Sequence, residues 1–255
     1  MKVVLFCGGF GTRMREHSET IPKPLVEIGY RPIIWHLMKY YAHHGHNDFI
    51  LCLGYGGNLI KDYFLKYDEC VSNNFVFSSG GKTIELLNSD INDWRITFVE
   101  TGIHANLGQR LTAVRRYLEG EDVFLVNYSD GLTDLPLNDY LERCIAKGRT
   151  ASFLSVRPSQ SLHAVSSDES GNVLTIKPVP ESDFWINGGF FVLRKEIFDY
   201  IGDGEELVGA PFQRLIQEKQ LYTYKYRGFW ASMDTYKDKL TLDSLWASGN
   251  VPWVL

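Results

Sequence analysis

The residues best suited to chemistry sit in two short stretches near the start of the chain. Cys7-Gly8-Gly9-Phe10-Gly11-Thr12-Arg13 closes an apolar run, and Pro22-Lys23-Pro24 follows shortly after. Gly8, Gly9 and Gly11 have no Cβ, so their backbone N–H groups can close around anionic oxygens. Thr12 adds a hydroxyl, and the guanidinium of Arg13 can pair with phosphate through two parallel hydrogen bonds. The prolines flanking Lys23 stiffen its backbone and can aim its ammonium at the same phosphates. Two acids could complete such a site: Asp130 in NYSDG and Asp234 in WASMD. A carboxylate at the carboxyl end of a strand can hold Mg²⁺, which takes one or two protein carboxylates together with substrate phosphates.

Plainer roles exist for each. Glycines after a strand make tight turns, Asp130 can open a turn before Gly131, and Asp234 can cap a helix. The loop is not the dinucleotide fingerprint, whose third glycine it lacks. Nor is it the Walker loop, which ends in G-K-[ST].

The surrounding elements are those that would bring these residues together. VVLFC (3–7) reads as a strand covered on both faces, and 32–45 as a helix that Pro32 opens and Gly45 closes. Strands follow at 48–55, 94–102, 122–131 and 150–156, and helices at 58–67, 109–120 and 137–148. That alternation predicts a Rossmann-like α/β fold, a mixed and mostly parallel sheet flanked by helices. In such sheets ligands bind outside the carboxyl ends of the strands, where both CGGFGTR and NYSDG fall. Further on, 164–178 reads as a hairpin, 187–201 as a strand running into a helix, 212–220 as a helix, 221–228 as an edge strand and 234–249 as a helix. The polar segment 66–94 breaks the alternation; an insertion of this size predicts a lid or a subunit contact. Without a linker or repeat, residues 1–255 read as one domain.

Composition narrows the partners. Of 255 residues, 44% are hydrophobic and 22% charged, and the formal charge of −5 argues against nucleic acid. No C-x-x-C pair occurs among Cys7, Cys52, Cys70 and Cys144, which predicts buried thiols in a reducing, cytoplasmic setting. The first apolar run is too short for a signal peptide, and no stretch is long enough to span a membrane. His43, His44 and His46 read as residues complementing a helix C-terminus rather than as metal ligands.

Taken with PKPLVEIG, ITFVETG, INGGFFVL, GFWASMDT and GNVPWVL, the GGFGTR loop resembles the sugar-phosphate nucleotidyltransferases, and most closely their glucose-1-phosphate cytidylyltransferase branch. The resemblance runs nearly end to end. It implies transfer from CTP to a phosphorylated acceptor, glucose 1-phosphate or another sugar phosphate, giving a CDP-linked product and pyrophosphate. It places catalytic roles on Arg13 and Lys23 and Mg²⁺ on Asp130 and Asp234. The nucleotide would meet Cys7, Gly8, Gly9, Gly11, Thr12, Arg13 and Lys23 from the first strand's end, and Arg110, Ser129 and Asp130 from elsewhere. The acceptor would meet Lys177, Asn187 and Gly188. The branch also implies a hexamer, with the insertion at a subunit contact. The acceptor half departs from the family pattern: Ile176 stands where a sugar-contacting glutamate is usual, His163 where glycine is usual, and Ser129 replaces another glycine. These departures predict a changed acceptor, another sugar phosphate or a small non-sugar phosphate. Uridylyl or thymidylyl transfer and a non-catalytic nucleotide-binding regulator are the alternative readings.

Overall fold

The computed structural model describes residues 1–9, 21–158 and 163–254. Among them, one eight-stranded sheet is built from β1 (Val3–Phe6), β2 (Asp48–Leu53), β3 (Arg95–Glu100), β4 (Val123–Tyr128), β5 (Ala151–Val156), β6 (Ile186–Asn187), β7 (Phe191–Arg194) and β8 (Leu221–Tyr226). β3, β2, β1 and β4 lie side by side and all run parallel. β7 is antiparallel to both β4 and β5, and β8 closes the far edge parallel to β5. The chain therefore winds from β1 through β2 to β3 in one direction and returns to place β4 on β1's other side. The switch point lies between β1 and β4, and a crevice opens at their carboxyl ends.

β1 shows why the center of the sheet must be covered. Val3, Leu5 and Cys7 pack on one face and Val4 and Phe6 on the other, all buried. On the first face lie α1 (Ile33–His43) and α4 (Leu137–Lys147). α4 presents Leu137, Tyr140, Leu141 and Cys144, one stripe at helical spacing, and ends at Gly148 in the left-handed conformation. On the second face lie α3 (Leu107–Val114) and α5 (Ala210–Gln217). α2 (Gly57–Leu65) follows β2, and α6 (Tyr236–Ala247) is the last helix.

Most sequence-derived elements appear where expected, with shifted ends. α3 begins at Leu107, because Asn106 and Gln109 form a capping box there, and it tightens into a 3₁₀ turn at Arg115–Leu118. The helix expected after β7 is a 3₁₀ turn, Lys195–Asp199. The hairpin at 164–178 forms from His163–Ser167 and Val173–Pro178. In the 66–94 insertion, Phe75–Ser78 pairs with Thr83–Leu86, and all eight residues are exposed. Its base is tied down: the buried Arg31 donates to the Asp68 carbonyl at 2.7 Å, and Tyr67 donates to Asp90 at 2.8 Å. Among the described residues, no helix is long and apolar enough to cross a membrane.

Candidate active site

Hydrogen bonds tie the end of β1 to both neighbours, β4 through Ser129 and β2 through Cys52. The Ser129 hydroxyl donates to the Phe6 carbonyl at 2.8 Å, and the Cys7 amide donates to the Cys52 carbonyl at 3.0 Å. Burial pushes the Cys7 thiol up to about 12, so it stays protonated and acts as packing beneath the turn. The next residue, Gly8, is required for space: a Cβ there would lie 2.1 Å from Nη1 of Arg110. The Arg110 guanidinium donates to the carbonyls of Gly8 at 3.0 Å and Leu53 at 3.1 Å, and to the Thr101 hydroxyl at 2.7 Å. Only 3% of Arg110 is exposed, and burial lowers its pKa. At Gly9, by contrast, no described residue lies within 4 Å of the Cβ it lacks.

The two acids meet through a small sheet. Gly131–Thr133 pairs antiparallel with Trp230–Ser232, Ser232 opposite Gly131, and the Met233 amide donates to the Asp130 carbonyl at 2.9 Å. Asp130 and Asp234 thereby converge although 104 positions separate them. The Lys23 ammonium donates to Asp130 Oδ2 and, at 2.8 Å, to Asp234 Oδ1. Lys23 itself is set by a 3₁₀ turn, Lys23–Leu25, in which the Leu25 amide donates to the Pro22 carbonyl at 2.8 Å. Burial alone would lower the pKa of this ammonium. The attraction and hydrogen bond of Asp130, then those of Asp234, outweigh it and hold Lys23 above its ordinary value. Asp234 does not cap α6. Thr235 does, in a capping box with Asp238, which leaves the Asp234 carboxylate to Lys23 and to the Ser232 hydroxyl at 2.9 Å.

Two cavities meet at this cluster. One, of about 410 Å³, is lined by Cys7, Gly8, Gly9, Lys23, Arg110, Ser129, Asp130 and Asp234. The other, of about 470 Å³, shares Tyr128, Asp130 and Asp234 with it and extends to Pro158, Ile186, Asn187, Gly188 and Trp230. Asn187 donates to the Tyr128 hydroxyl at 3.2 Å. Of the expected site residues, the structure thus brings together the first strand's end, Lys23, Arg110, Ser129, both acids, Asn187 and Gly188. Lys177 stands on the exposed hairpin and lines neither cavity. Gly11, Thr12 and Arg13 lie outside the described residues. Sequence reasoning missed Tyr128, which borders both cavities, and Glu206, which faces the first. Tyr128 could have been flagged as the last ring before the polar end of β4. Glu206 lies in an irregular stretch that carries no such signal.

A doubly wound sheet with a glycine turn, a lysine and paired carboxylates at its switch point is the layout of a phosphate-handling α/β protein. Comparison with known proteins agrees. Residues 2–246 match the family model described as nucleotidyl transferase. The chain is 37% identical over 255 residues to glucose-1-phosphate cytidylyltransferase of Salmonella typhi, covering 99% of this chain and 98% of that one. It is 38% identical over 255 residues to a probable glucose-1-phosphate cytidylyltransferase of Bacillus subtilis, covering 99% of each. The fold superposes on the crystal structure of a putative glucose-1-phosphate thymidylyltransferase from Bacillus anthracis with a TM-score of 0.69 at 16% identity, over 96% of this chain and 94% of that one. The chain belongs to the nucleotidyl transferase family and is a nucleotidyltransferase.

Proposed function

We propose that this enzyme transfers a cytidylyl group from CTP to a sugar 1-phosphate in a Mg²⁺-dependent reaction. The observation that carries the proposal is the Lys23 ammonium held between Asp130 and Asp234 where the two cavities join. Full-length similarity to glucose-1-phosphate cytidylyltransferases supports the base and the acceptor class. The cavity over Gly8 and Gly9 suits the nucleotide, and the one reaching Asn187 and Gly188 suits the acceptor. In the reaction an acceptor phosphate oxygen bonds to the α-phosphorus of CTP. The α–β bridging P–O bond breaks, and pyrophosphate leaves.

The donor set fits magnesium. Two carboxylates already aim at one cationic center, and both are hard oxygen donors that substrate phosphates can supplement. When bound there, Mg²⁺ would offset the charge of the triphosphate and polarise the α-phosphoryl group. The remaining work falls to positioning and to fixed charge. Lys23, kept protonated, screens the repulsion between two polyanions. Arg110 pins the Gly8 carbonyl and so fixes the start of the turn that leads to Gly9, whose backbone can meet phosphate oxygens. Arg13, by family resemblance, adds a second cation. The exposed Phe77 and Ile84 of the insertion hairpin support its role as a contact between subunits of a homo-oligomer.

The test is pyrophosphate release with CTP, UTP and dTTP across a panel of sugar 1-phosphates, with and without Mg²⁺. CTP is expected to be preferred, with release abolished by chelation. Preference for another base, or no release with any acceptor, would contradict the proposal.

A further inference from the structure

One carboxylate at the first cavity has an oxygen with nothing to accept. Glu206 lines that cavity, and its Oε1 is buried with no hydrogen-bond donor among the described residues. Its other oxygen, Oε2, accepts from the Leu107 amide at 3.3 Å, at the first turn of α3. The segment 204–207 is docked on that turn. The Asn106 side-chain amide donates to the Gly204 carbonyl at 2.8 Å. The Glu205 carbonyl comes so close to Gly108 that a Cβ there would lie 2.2 Å from it. Leu207 is buried in one cluster with Leu111 and Val114 of α3. The carboxylate is therefore held in place by the fold itself. Leaving a carboxylate oxygen buried without a donor is costly, and such a group in a native structure points to a ligand that donates to it.

The cavity identifies which donor. Tyr128, Asp130 and Asp234 line both cavities, so the reacting phosphate belongs among them. Ala105, Asn106, Leu107 and Glu206 line the first cavity alone, together with the glycine turn. Triphosphate and nucleoside share that space. A phosphate offers only lone pairs and carries the same sign of charge as Glu206, which leaves the carboxylate to the nucleoside. Cytosine bears two N–H groups at its 4-position, where uracil and thymine carry an acceptor oxygen. Asn106 is already engaged: its Oδ1 accepts from the Gln109 amide at 2.9 Å while its nitrogen holds Gly204.

We infer that Glu206 selects the base: Oε1 accepts a hydrogen bond from the 4-amino group of cytosine and opposes the O4 of uracil or thymine. The inference rests on the cytidylyl-transfer reading and goes beyond it by assigning the residue that reads the base. A site built to bond a ligand N–H discriminates strongly against an analogue that lacks it, because the buried oxygen is then left unpaired.

Binding of CTP, UTP and the CTP analogue with hydrogen in place of the 4-amino group is measured by calorimetry with Mg²⁺, on the parent and on Glu206→Gln. The parent is expected to bind CTP about tenfold or more tighter than UTP or the analogue, the margin that one hydrogen bond to a charged group supplies. Glutamine keeps an acceptor for the Leu107 amide, and its amide can turn an oxygen to the amino group of cytosine or a nitrogen to the O4 of uracil. The CTP-to-UTP ratio is therefore expected to fall by about tenfold or more. A smaller fall overturns the inference, and equal weakening of both nucleotides assigns Glu206 to the ribose instead. An analogue that the parent binds as tightly as CTP also overturns it, independently of how the variant folds. Each of these results leaves cytidylyl transfer standing. A parent that binds UTP as tightly as CTP, or binds neither, overturns the transfer reading and this inference with it.

Discussion

Replacing Lys23 by methionine keeps the side chain's length and removes its charge, and the structure gives the consequences opposite signs. The side chains of Lys23, Asp130 and Asp234 are 15%, 20% and 41% exposed, so the cluster is largely shielded on the Lys23 side. Without the ammonium, the summed charge of Lys23, Asp130 and Asp234 goes from −1 to −2, and the two carboxylates lose the cation that bridges them. Turnover is expected to fall about a hundredfold or more, the usual effect of losing one preorganised charge-stabilising donor. Binding of Mn²⁺ in the absence of nucleotide should instead tighten, because the ammonium no longer competes for the carboxylates. A gain of about tenfold is reasonable for a partly exposed site. The ligand-free variant should also lose about 2 kcal/mol of stability, between the values for exposed and fully buried ion pairs. Pyrophosphate release measures the first effect, an EPR titration of free Mn²⁺ the second and chemical denaturation the third. Turnover within about threefold of the parent would refute the reasoning, as would weaker Mn²⁺ binding.

Three further predictions follow from the same geometry. Gly8→Ala must displace the buried Arg110 guanidinium and should lose about 1–3 kcal/mol of stability, whereas Gly9→Ala, with no described residue within 4 Å of the added Cβ, should melt within about 2 °C of the parent yet bind CTP more weakly. Burial lowers His36 to about 4 from the ordinary 6.5, so the folded state resists protonation. Stability is then complete above pH 6.5 and falls as the pH drops toward 4, with about 2 kcal/mol gone by pH 5. Denaturation at pH 7 and pH 5 should show a smaller difference in His36→Gln. Finally, Cys7, Cys52 and Cys144 are buried and Cys70 is half-exposed. Native iodoacetamide labelling followed by mass spectrometry should therefore modify Cys70 first, and faster modification of Cys7 would contradict the sealed underside of the turn.

The fold was legible where periodicity was strong. β1 and β4 are continuous apolar runs and α4 is a clean stripe, so the crevice between the first glycines and NYSDG could be inferred from strand polarity alone. What brings Asp234 beside Asp130 could not. That depends on pairing between Gly131–Thr133 and Trp230–Ser232, two three-residue strands too short for any periodic signal. Asp234 resembled a helix cap because capping is judged on residue type, and the Thr235–Asp238 box that displaces it is fixed by backbone geometry. Apart from the family resemblance, which puts it at the nucleotide, Arg110 reads in sequence as an ordinary helical arginine. Its role beneath Gly8 follows from the packing of α3 against the ends of β1 and β2.

The central claim is that one divalent cation, held by Asp130 and Asp234, joins the triphosphate to the acceptor at the meeting point of the two cavities. Anomalous diffraction from crystals grown with Mn²⁺ and a non-hydrolysable CTP analogue tests it most directly. A Mn²⁺ peak bonded to both carboxylates, with the triphosphate against Gly8 and Gly9, is the predicted result. A peak away from either acid, or a triphosphate bound outside that crevice, would contradict it.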